Sequence, residues 1–407
     1  MRAAATAPAA GVTGPVAGAA ASGRRAVPLT TIALQWGRIG CTGFGGPPAH
    51  VALLRELCVT ERGWMDARDF EDGIAATNLL PGPASTQLAI YCAWRLAGVA
   101  GAVVGGLCFI VPGLVVILAL AALYLRAHPP LWVLGSAAGA GAAVPAVALQ
   151  AAAGLLPASR RRSGATGAGR ARWAVYVAGG AAAAATLGPW LVLVLATAGL
   201  AEIASSSLPR RDAGRRAHGA LALAGVPVVA GGLSAVAWVA VKVGLLSYGG
   251  GFVIVPLMQH DAVQTYHWMT GAQFLGAVAL GQLTPGPVVQ TVAVVGFAAG
   301  GLGAGLLAAL CAFAPSFALV VAGGPRFDAL RADARVQAFL TGAGAAAIGA
   351  IGGSAIPLGL ALAHLWQLGV LALGALWLLW LRRGVVPALV GAGALGLAAG
   401  LLGAPVR

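Results

Sequence analysis

One sequence pattern, interrupted by Gly-Gly and Pro-Gly-Pro, occurs twice in the chain. This duplication limits the fold more than any other feature. A shift of 204 positions superposes several groups of residues without a gap: Arg38 on Lys242, Gly45-Gly46 on Gly249-Gly250, Trp64-Met65 on Trp268-Met269, Phe70 on Phe274, and Pro81-Gly82-Pro83 on Pro285-Gly286-Pro287. The register holds across more than 40 residues. Chance is a poor explanation for such a match, so the sequence indicates an internal duplication.

Around this repeat the chain is strongly apolar. Of its 407 residues, 59% are hydrophobic and 9% are charged, whereas a soluble domain carries about 25% charged residues. Uncharged runs recur along the chain, at 97–125, 131–159, 173–201, 219–241, 296–325, 336–363 and 384–406. Runs of about 20 apolar residues have the length of a membrane-spanning helix, whereas barrel strands would be short and alternating. The sequence therefore predicts an all-α integral membrane protein.

The charge pattern indicates which partners to expect. The net charge is +14, but the arginines lie in short loops, where they orient membrane helices. This favours a lipid bilayer as the partner and argues against nucleic acid. The five cysteines show no CxxC spacing, and the six histidines show no HExxH pattern. We therefore expect no metal, no cofactor and no disulfide framework. The absence of GxSxG and P-loop motifs argues against an enzyme.

Each copy is broken into short helical pieces. In the first copy the predicted pieces are 29–44, 48–60, 67–80 and 84–97. They are too short to cross a hydrocarbon core of about 30 Å at about 1.5 Å per residue. Half-length pieces broken by Gly and Pro are typical of re-entrant hairpins in transporters. A hairpin with Pro81-Gly82-Pro83 at its tip would place both of its ends at one face of the membrane.

The loop charges predict that the two copies have opposite orientations. After the span 100–124 the loop carries Arg126 and His128, whereas the matching loop of the second copy carries Arg326, Arg331 and Arg335. Cytoplasmic loops are richer in arginine, so we expect two inverted-topology repeats. The apolar stretch 220–236 would supply the additional crossing. The run 173–203, interrupted by Gly188-Pro189 between two basic loops, predicts a helical hairpin, and a single bent span is the alternative.

These patterns predict four segments. They are a disordered cytoplasmic tail at 1–28, a first repeat at 29–156, a basic linker with a helical hairpin at 157–219, and a second repeat with additional spans at 220–403.

The Gly- and Pro-rich breaks between the helical pieces are the candidate substrate site. A helix N-terminus carries about +0.5 charge, and Pro is well tolerated in the first turn. Half-helices that begin near the midplane therefore favour an anion. The alternative is that these residues only kink or pack the helices. Arg38 and Lys242 lie within apolar segments, where a charge costs about 2.5–3.5 kcal/mol. No acid lies at helical spacing from either, so we expect two unpaired cations that bind a dianion, with snorkelling to the interface as the alternative.

The candidate substrate-binding residues are the two cations, the breaks and the neighbouring polar side chains: Arg38, Gly45, Gly46, His50, Asn78, Pro81, Gly82, Pro83, Ser85, Thr86, Lys242, Gly249, Gly250, Gln282, Pro285, Gly286, Pro287 and Gln290. Asp261, His260 and His267 are candidates for proton coupling. A charge on a loop at the membrane surface is the more ordinary interpretation of each of these three.

Four segments resemble the signatures of the chromate ion transporter family in its long, two-domain form: Gly43-Phe44-Gly45-Gly46-Pro47, Leu80-Pro81-Gly82-Pro83-Ala84, 244–251 and 283–287. The resemblance covers 29–156 and 237–357. It implies a secondary transporter that exports chromate across the inner (cytoplasmic) membrane, coupled to the proton gradient, and so gives chromate resistance. Ala84 departs from the pattern, because many long members carry an acid there. A sulfate importer or exchanger stays open as an alternative, since sulfate shares shape and charge with chromate. A homodimer is also left open.

Overall fold

The computed structural model describes residues 27–78, 80–164, 166–186, 190–206, 231–247, 254–323 and 332–406. Gly249, Gly250, almost all of the predicted tail and most of the stretch 220–236 therefore lie outside the described residues. Within the described residues the chain forms helices and no strand, as the sequence predicts.

The helices, in chain order, are α1 (Leu29–Thr42), α2 (Pro47–Arg55), α3 (Ala67–Thr77), α4 (Ala84–Tyr124), α5 (Leu131–Arg162), α6 (Gly167–Thr186), α7 (Leu191–Ser205), α8 (Leu233–Leu246), α9 (Ile254–Gln259), α10 (Gly271–Leu283), α11 (Thr291–Gly323), α12 (Ala334–Gly353), α13 (Ala355–Leu360), α14 (Leu365–Ala375) and α15 (Val385–Leu401). Helices α2, α9 and α14 continue as π-helical turns at Glu56–Glu61, His260–Thr265 and Leu376–Trp380, and a 3-10 turn at Val288–Gln290 precedes α11.

The first copy begins with two re-entrant hairpins that enter from the same side. Trp64, beyond the end of α2, stacks on Trp36 of α1 with ring centroids 6.4 Å apart, so α2 folds back along α1. Asp69, at the start of α3, accepts a hydrogen bond of 3.3 Å from Arg95 in α4. Both ends of the second hairpin therefore lie together, with Pro81-Gly82-Pro83 at its tip. The predicted broken, re-entrant helices are confirmed.

Helix α4 reverses direction at Ala97-Gly98, where Gly98 has φ of +61°. A Cβ atom on Gly106 would lie 2.9 Å from the Ile90 side chain, although these residues would be about 24 Å apart in a straight helix. The second arm of α4, 99–124, thus runs back along the first arm, 84–96. It crosses to the side of the membrane opposite the ends of the hairpins. Helix α11 bends in the same way at Gly300-Gly301.

The second arms of α4 and α11 are equivalent in the duplication and pack against each other. Gly106 faces Phe317, and Gly305 faces the Leu118 side chain. These contacts run in opposite order along the two arms, so the arms are antiparallel. Equivalent helices that run antiparallel mean that the two copies are inverted, as predicted.

Arginines mark one side of the molecule, which we call the arginine-rich face. Helix α5 starts on the side where α4 ends and crosses to this face, and α15 is antiparallel to α5, since Gly396 packs on Gly135. The described arginines in the loops and helix ends at this face are Arg62, Arg68, Arg95, Arg160, Arg161, Arg162, Arg170, Arg172, Arg335, Arg382 and Arg383. Arg126 lies at the opposite side. The positive-inside rule assigns the arginine-rich face to the cytoplasm.

Helices α6 and α7 form a helical hairpin rather than one bent span. Near the start of α6, Arg172 donates two hydrogen bonds to Glu202, near the end of α7, at 3.0 and 3.1 Å. The Tyr176 hydroxyl donates to the same carboxylate at 3.1 Å. The pairing joins residues that are distant in sequence, and no local pattern in the sequence predicts it. Both helices pack on α12, where small residues allow close approach.

Removing this ion pair should weaken the docking of the hairpin. We expect Arg172→Ala to lower the free energy of unfolding by about 1 kcal/mol, because the arginine is partly solvated. Arg162→Ala is the matched control, since Arg162 is exposed at the end of α5. Thermal unfolding of the purified protein in detergent measures both variants. Equal melting temperatures for the two would show that the pair contributes nothing.

Candidate substrate cavity

A cavity of about 660 Å³ lies between the hairpin tips and the helices α5, α10 and α15. Its lining residues come from both copies: Gly45, Gly46, Pro47, Pro48, Val51, Ile74, Thr77, Asn78, Ala84, Ser85, Leu88, Gln150, Ala151, Gly154, Leu155, Gln282, Gly384, Val385, Val386 and Pro387. Because α15 begins at the arginine-rich face, the cavity extends from the helix breaks toward that face.

Five of the predicted site residues meet in this cavity: Gly45, Gly46, Asn78, Ser85 and Gln282. Two further polar side chains, Thr77 and Gln150, line the cavity and are absent from the residues predicted from the sequence. The Thr77 hydroxyl already donates to the Gly73 carbonyl at 2.9 Å. Gln150 is the one amide in the apolar run 131–159, and a polar group inside a membrane segment is a signal that could have identified it.

The N-terminus of α4 offers hydrogen-bond donors to the cavity. Gly82, at the tip, has φ of +126°, a conformation that favours glycine. The Gln87 side-chain amide donates to the Pro81 carbonyl at 2.7 Å and holds the loop. Among the described residues, no backbone acceptor is paired with the first backbone N–H groups of α4, at Ala84, Ser85 and Thr86. Free N–H groups at a helix N-terminus, together with its dipole, suit an anion.

The N-terminus of α2 contributes less than the sequence suggests. Pro47 and Pro48 occupy its first two positions and have no N–H. The N–H groups of Ala49 and His50 both donate to the Gly46 carbonyl, at 3.1 and 3.2 Å. This end therefore supplies the partial charge of the helix dipole, while its first turn has no free donor.

Gln282 places an unpartnered donor in the cavity wall. Its side chain is 7% exposed, and its Nε2 atom has no hydrogen-bond partner among the described residues. A buried donor without a partner costs about 1–3 kcal/mol. Such groups are rare in native structures and call for an explanation such as a ligand or a water molecule. The Nε2 atom is itself buried, so Gln282 is a candidate for contact with the substrate once its amide turns toward the cavity.

His50 supports the cavity from behind rather than lining it. The imidazole is fully buried, with its Nε2 3.0 Å from the Gly43 carbonyl oxygen and its Nδ1 3.3 Å from the Ser85 hydroxyl. A carbonyl only accepts hydrogen bonds, so Nε2 carries a proton. The ring also packs edge-on against Phe109. His50 thus holds the break after α1 against the start of α4.

The Pro-Gly-Pro tip of each copy packs against the other copy. The Gly286 N–H donates to the Gly43 carbonyl at 3.0 Å, and the Gln290 amide donates to the Ile110 carbonyl at 2.8 Å. On the other side, a Cβ atom on Gly82 would lie 3.2 Å from the Gly244 carbonyl. Pro81, Pro83, Thr86, Pro285, Gly286, Pro287 and Gln290 are absent from the cavity lining. Of these, Pro285, Gly286 and Gln290 contact the first copy and form part of the junction between the two copies.

The prediction of two unpaired cations is wrong for Lys242. Its Nζ lies 2.6 Å from the Asp261 carboxylate, whose side chain is 8% exposed. The pair forms because α9 packs along α8, and the π-helical turn that continues α9 places Asp261 beside Lys242. Asp261 is therefore a buried partner and not a loop charge. Arg38 is exposed on α1, on the face opposite Trp36, and neither cation lines the cavity.

Comparison with known proteins identifies the family. The family model described as "Chromate transporter" matches residues 30–202 and 234–398. The chain belongs to the chromate transporter family. The cavity and its hydrogen-bond donors are therefore interpreted as parts of a chromate transporter. Both halves of the chain match the family model.

Several relatives of this chromate transporter extend over most of its length. It is 30% identical over 338 residues to a chromate transport protein of Cupriavidus metallidurans, covering 81% of this chain and 82% of the relative. It is 28% identical over 350 residues to a probable chromate transport protein of Synechococcus elongatus, covering 84% and 88%. It is 30% identical over 338 residues to a chromate transport protein of Pseudomonas aeruginosa, covering 79% of each. No solved structure matches the chain significantly.

Proposed function

We propose that this chain exports chromate across the cytoplasmic inner membrane and so gives chromate resistance. The observation that supports the proposal is the cavity in which the free N–H groups of α4 and the unpartnered Gln282 donor come together. Chromate is a tetrahedral dianion whose oxygens only accept hydrogen bonds. Among the described residues, no carboxylate lines the cavity to repel it.

In this proposal neutral donors bind the oxyanion. The side-chain amides of Asn78, Gln150 and Gln282 and the backbone N–H groups of Ala84 and Ser85 surround it. The dipoles of α2 and α4 add partial positive charge. Pre-oriented neutral donors bind an anion strongly in a site that excludes water, because the local dielectric is low. The buried Lys242–Asp261 pair then supports the second copy and does not bind the substrate.

The side on which the cavity opens supports export. It extends toward the arginine-rich face, which the positive-inside rule assigns to the cytoplasm. Chromate would therefore enter from the cytoplasm. Rocking of the two interlocked, inverted copies would then expose it to the other side, the general mechanism of inverted-repeat transporters. A protein that acts in this way would lower cytoplasmic chromate and protect the cell.

Transport into everted membrane vesicles tests this proposal. Vesicles that contain the protein should accumulate radiolabelled chromate faster than vesicles from cells without it, and cells that express it should grow at higher chromate concentrations. Sulfate, added in excess, measures selectivity between the two dianions. Uptake only by right-side-out vesicles would indicate an importer. Sulfate uptake without chromate uptake would exclude chromate as the substrate.

Removing the Gln282 donor should weaken substrate binding. A hydrogen bond to a charged group contributes about 1.5–3 kcal/mol, so Gln282→Leu should raise the KM for chromate by about 10-fold to 150-fold. Gln282→Glu should be worse, because it adds a negative charge. Gln35→Leu is the control, since Gln35 lies on α1 away from the cavity. An unchanged KM in Gln282→Leu would contradict its assigned contact with chromate.

A further inference from the structure

A second cavity, of about 700 Å³, lies at the arginine-rich face between the end of α5 and the start of α6. Its lining combines positive charge with apolar surface: Leu156, Pro157, Arg160, Arg161, Gly164, Arg170 and Trp173. Among the described residues, it shares no lining residue with the substrate cavity. Transport of chromate therefore does not account for it, and we call it the basic pocket.

A hydrogen bond between α6 and α5 joins the two sides of the basic pocket. The Trp173 indole N–H, on α6, donates to the Ser159 hydroxyl, on α5, at 3.1 Å. Ser159 is 3% exposed, so this contact lies inside the junction of the helices. At the end of α5, the Ser163 hydroxyl donates to the Arg160 carbonyl at 2.8 Å. The pocket is thus a defined feature of the fold.

The three arginines of the basic pocket are free to bind an anion. Arg160, Arg161 and Arg170 are exposed, and within the described part of the chain none lies within 4.0 Å of a carboxylate. Arg172 differs, because it is paired with Glu202. Three guanidinium groups around one pocket, without a counter-charge, repel one another. An anion between them would remove that repulsion.

We propose that the basic pocket binds the headgroup of an anionic phospholipid in the leaflet at the arginine-rich face. Guanidinium groups bind phosphate oxygens through paired hydrogen bonds, and basic pockets at the cytoplasmic side of membrane proteins bind anionic headgroups. Leu156 and Pro157 offer apolar surface to an acyl chain. Trp173 belongs to the residue type that is enriched at the level of the headgroups. A free phosphate ion would leave this apolar surface unused.

Titration of the purified full-length chain with phosphatidylglycerol, followed by native mass spectrometry, tests the proposal. The wild type should bind phosphatidylglycerol and should not bind phosphatidylcholine. Each arginine near an anionic lipid contributes about fivefold in affinity, so the triple variant Arg160→Gln, Arg161→Gln, Arg170→Gln should bind about 100-fold more weakly. The matched control is the triple variant Arg335→Gln, Arg382→Gln, Arg383→Gln, which removes the same charge at the same face and should bind as the wild type does.

Three results would overturn the proposal. An equal loss of affinity in the control triple variant would mean that only the overall charge of the face matters. Equal binding of phosphatidylcholine would mean that the contact is only apolar. Displacement of the lipid by inorganic phosphate at equal concentration would mean that the pocket takes the free ion. A triple Arg→Lys variant keeps the charge and should keep most of the affinity. It shows whether the Gln variant loses affinity through the lost charge or through misfolding.

Discussion

The Lys242→Met variant should lower the free energy of unfolding by about 3–5 kcal/mol, because it leaves the buried Asp261 carboxylate without its partner. Lys242 also lies 5.6 Å from the centre of the Trp238 ring, so the variant loses a cation–π contact as well. The measurement is thermal or denaturant unfolding of the purified protein, together with the amount of folded protein in the membrane.

A double variant separates the lost charge pair from the lost side chain. Lys242→Met combined with Asp261→Asn removes both charges, so we expect it to recover most of the stability that the single variant loses. Arg38→Gln is the matched control from the other copy. Arg38 is exposed and has no carboxylate within 4.0 Å among the described residues, so the change should stay within about 0.5 kcal/mol. A double variant as unstable as Lys242→Met would contradict the pairing.

The Gly113→Ala variant should separate the interlocked copies. A Cβ atom on Gly113 would overlap the Pro285 carbonyl oxygen and lie 2.7 Å from the Gln290 side chain. The first of these is a backbone atom at the hairpin tip, so it can move aside only if the tip itself moves. Overpacking of this kind costs about 1–3 kcal/mol, occasionally more. Because the tip of the second copy is displaced, chromate uptake into vesicles should also fall sharply.

A second glycine in the equivalent arm provides the control. Gly303 lies in the second arm of α11, and a Cβ atom there would meet nothing within 4 Å. Gly303→Ala should therefore keep wild-type stability and uptake. If Gly113→Ala and Gly303→Ala behave alike, the tip does not depend on close approach to α4.

The two copies differ most where the ion pair forms. By the register of the duplication, Lys242 corresponds to Arg38 and Asp261 corresponds to Leu57. The second copy thus has a buried acid beside its cation, and the first copy has an apolar residue in that place and an exposed arginine. A comparison of the acids in the two copies marks Asp261 as specific to the second copy but does not name its partner. Spacing along one helix could not, because the partners lie on different helices.

The sequence alone determined the all-helical membrane fold, the duplication, the inverted orientation and the position of the breaks. These properties depend on local composition, on glycine and proline, and on loop charge, and each can be read along the chain. The tertiary structure decided which residues meet. It brought Gln150 of α5 and Gln282 of α10 into one cavity, and it paired Lys242 with Asp261. It also assigned Pro285, Gly286 and Gln290 to the junction between the copies. Such contacts depend on how helices pack across the chain, and no local pattern encodes that packing.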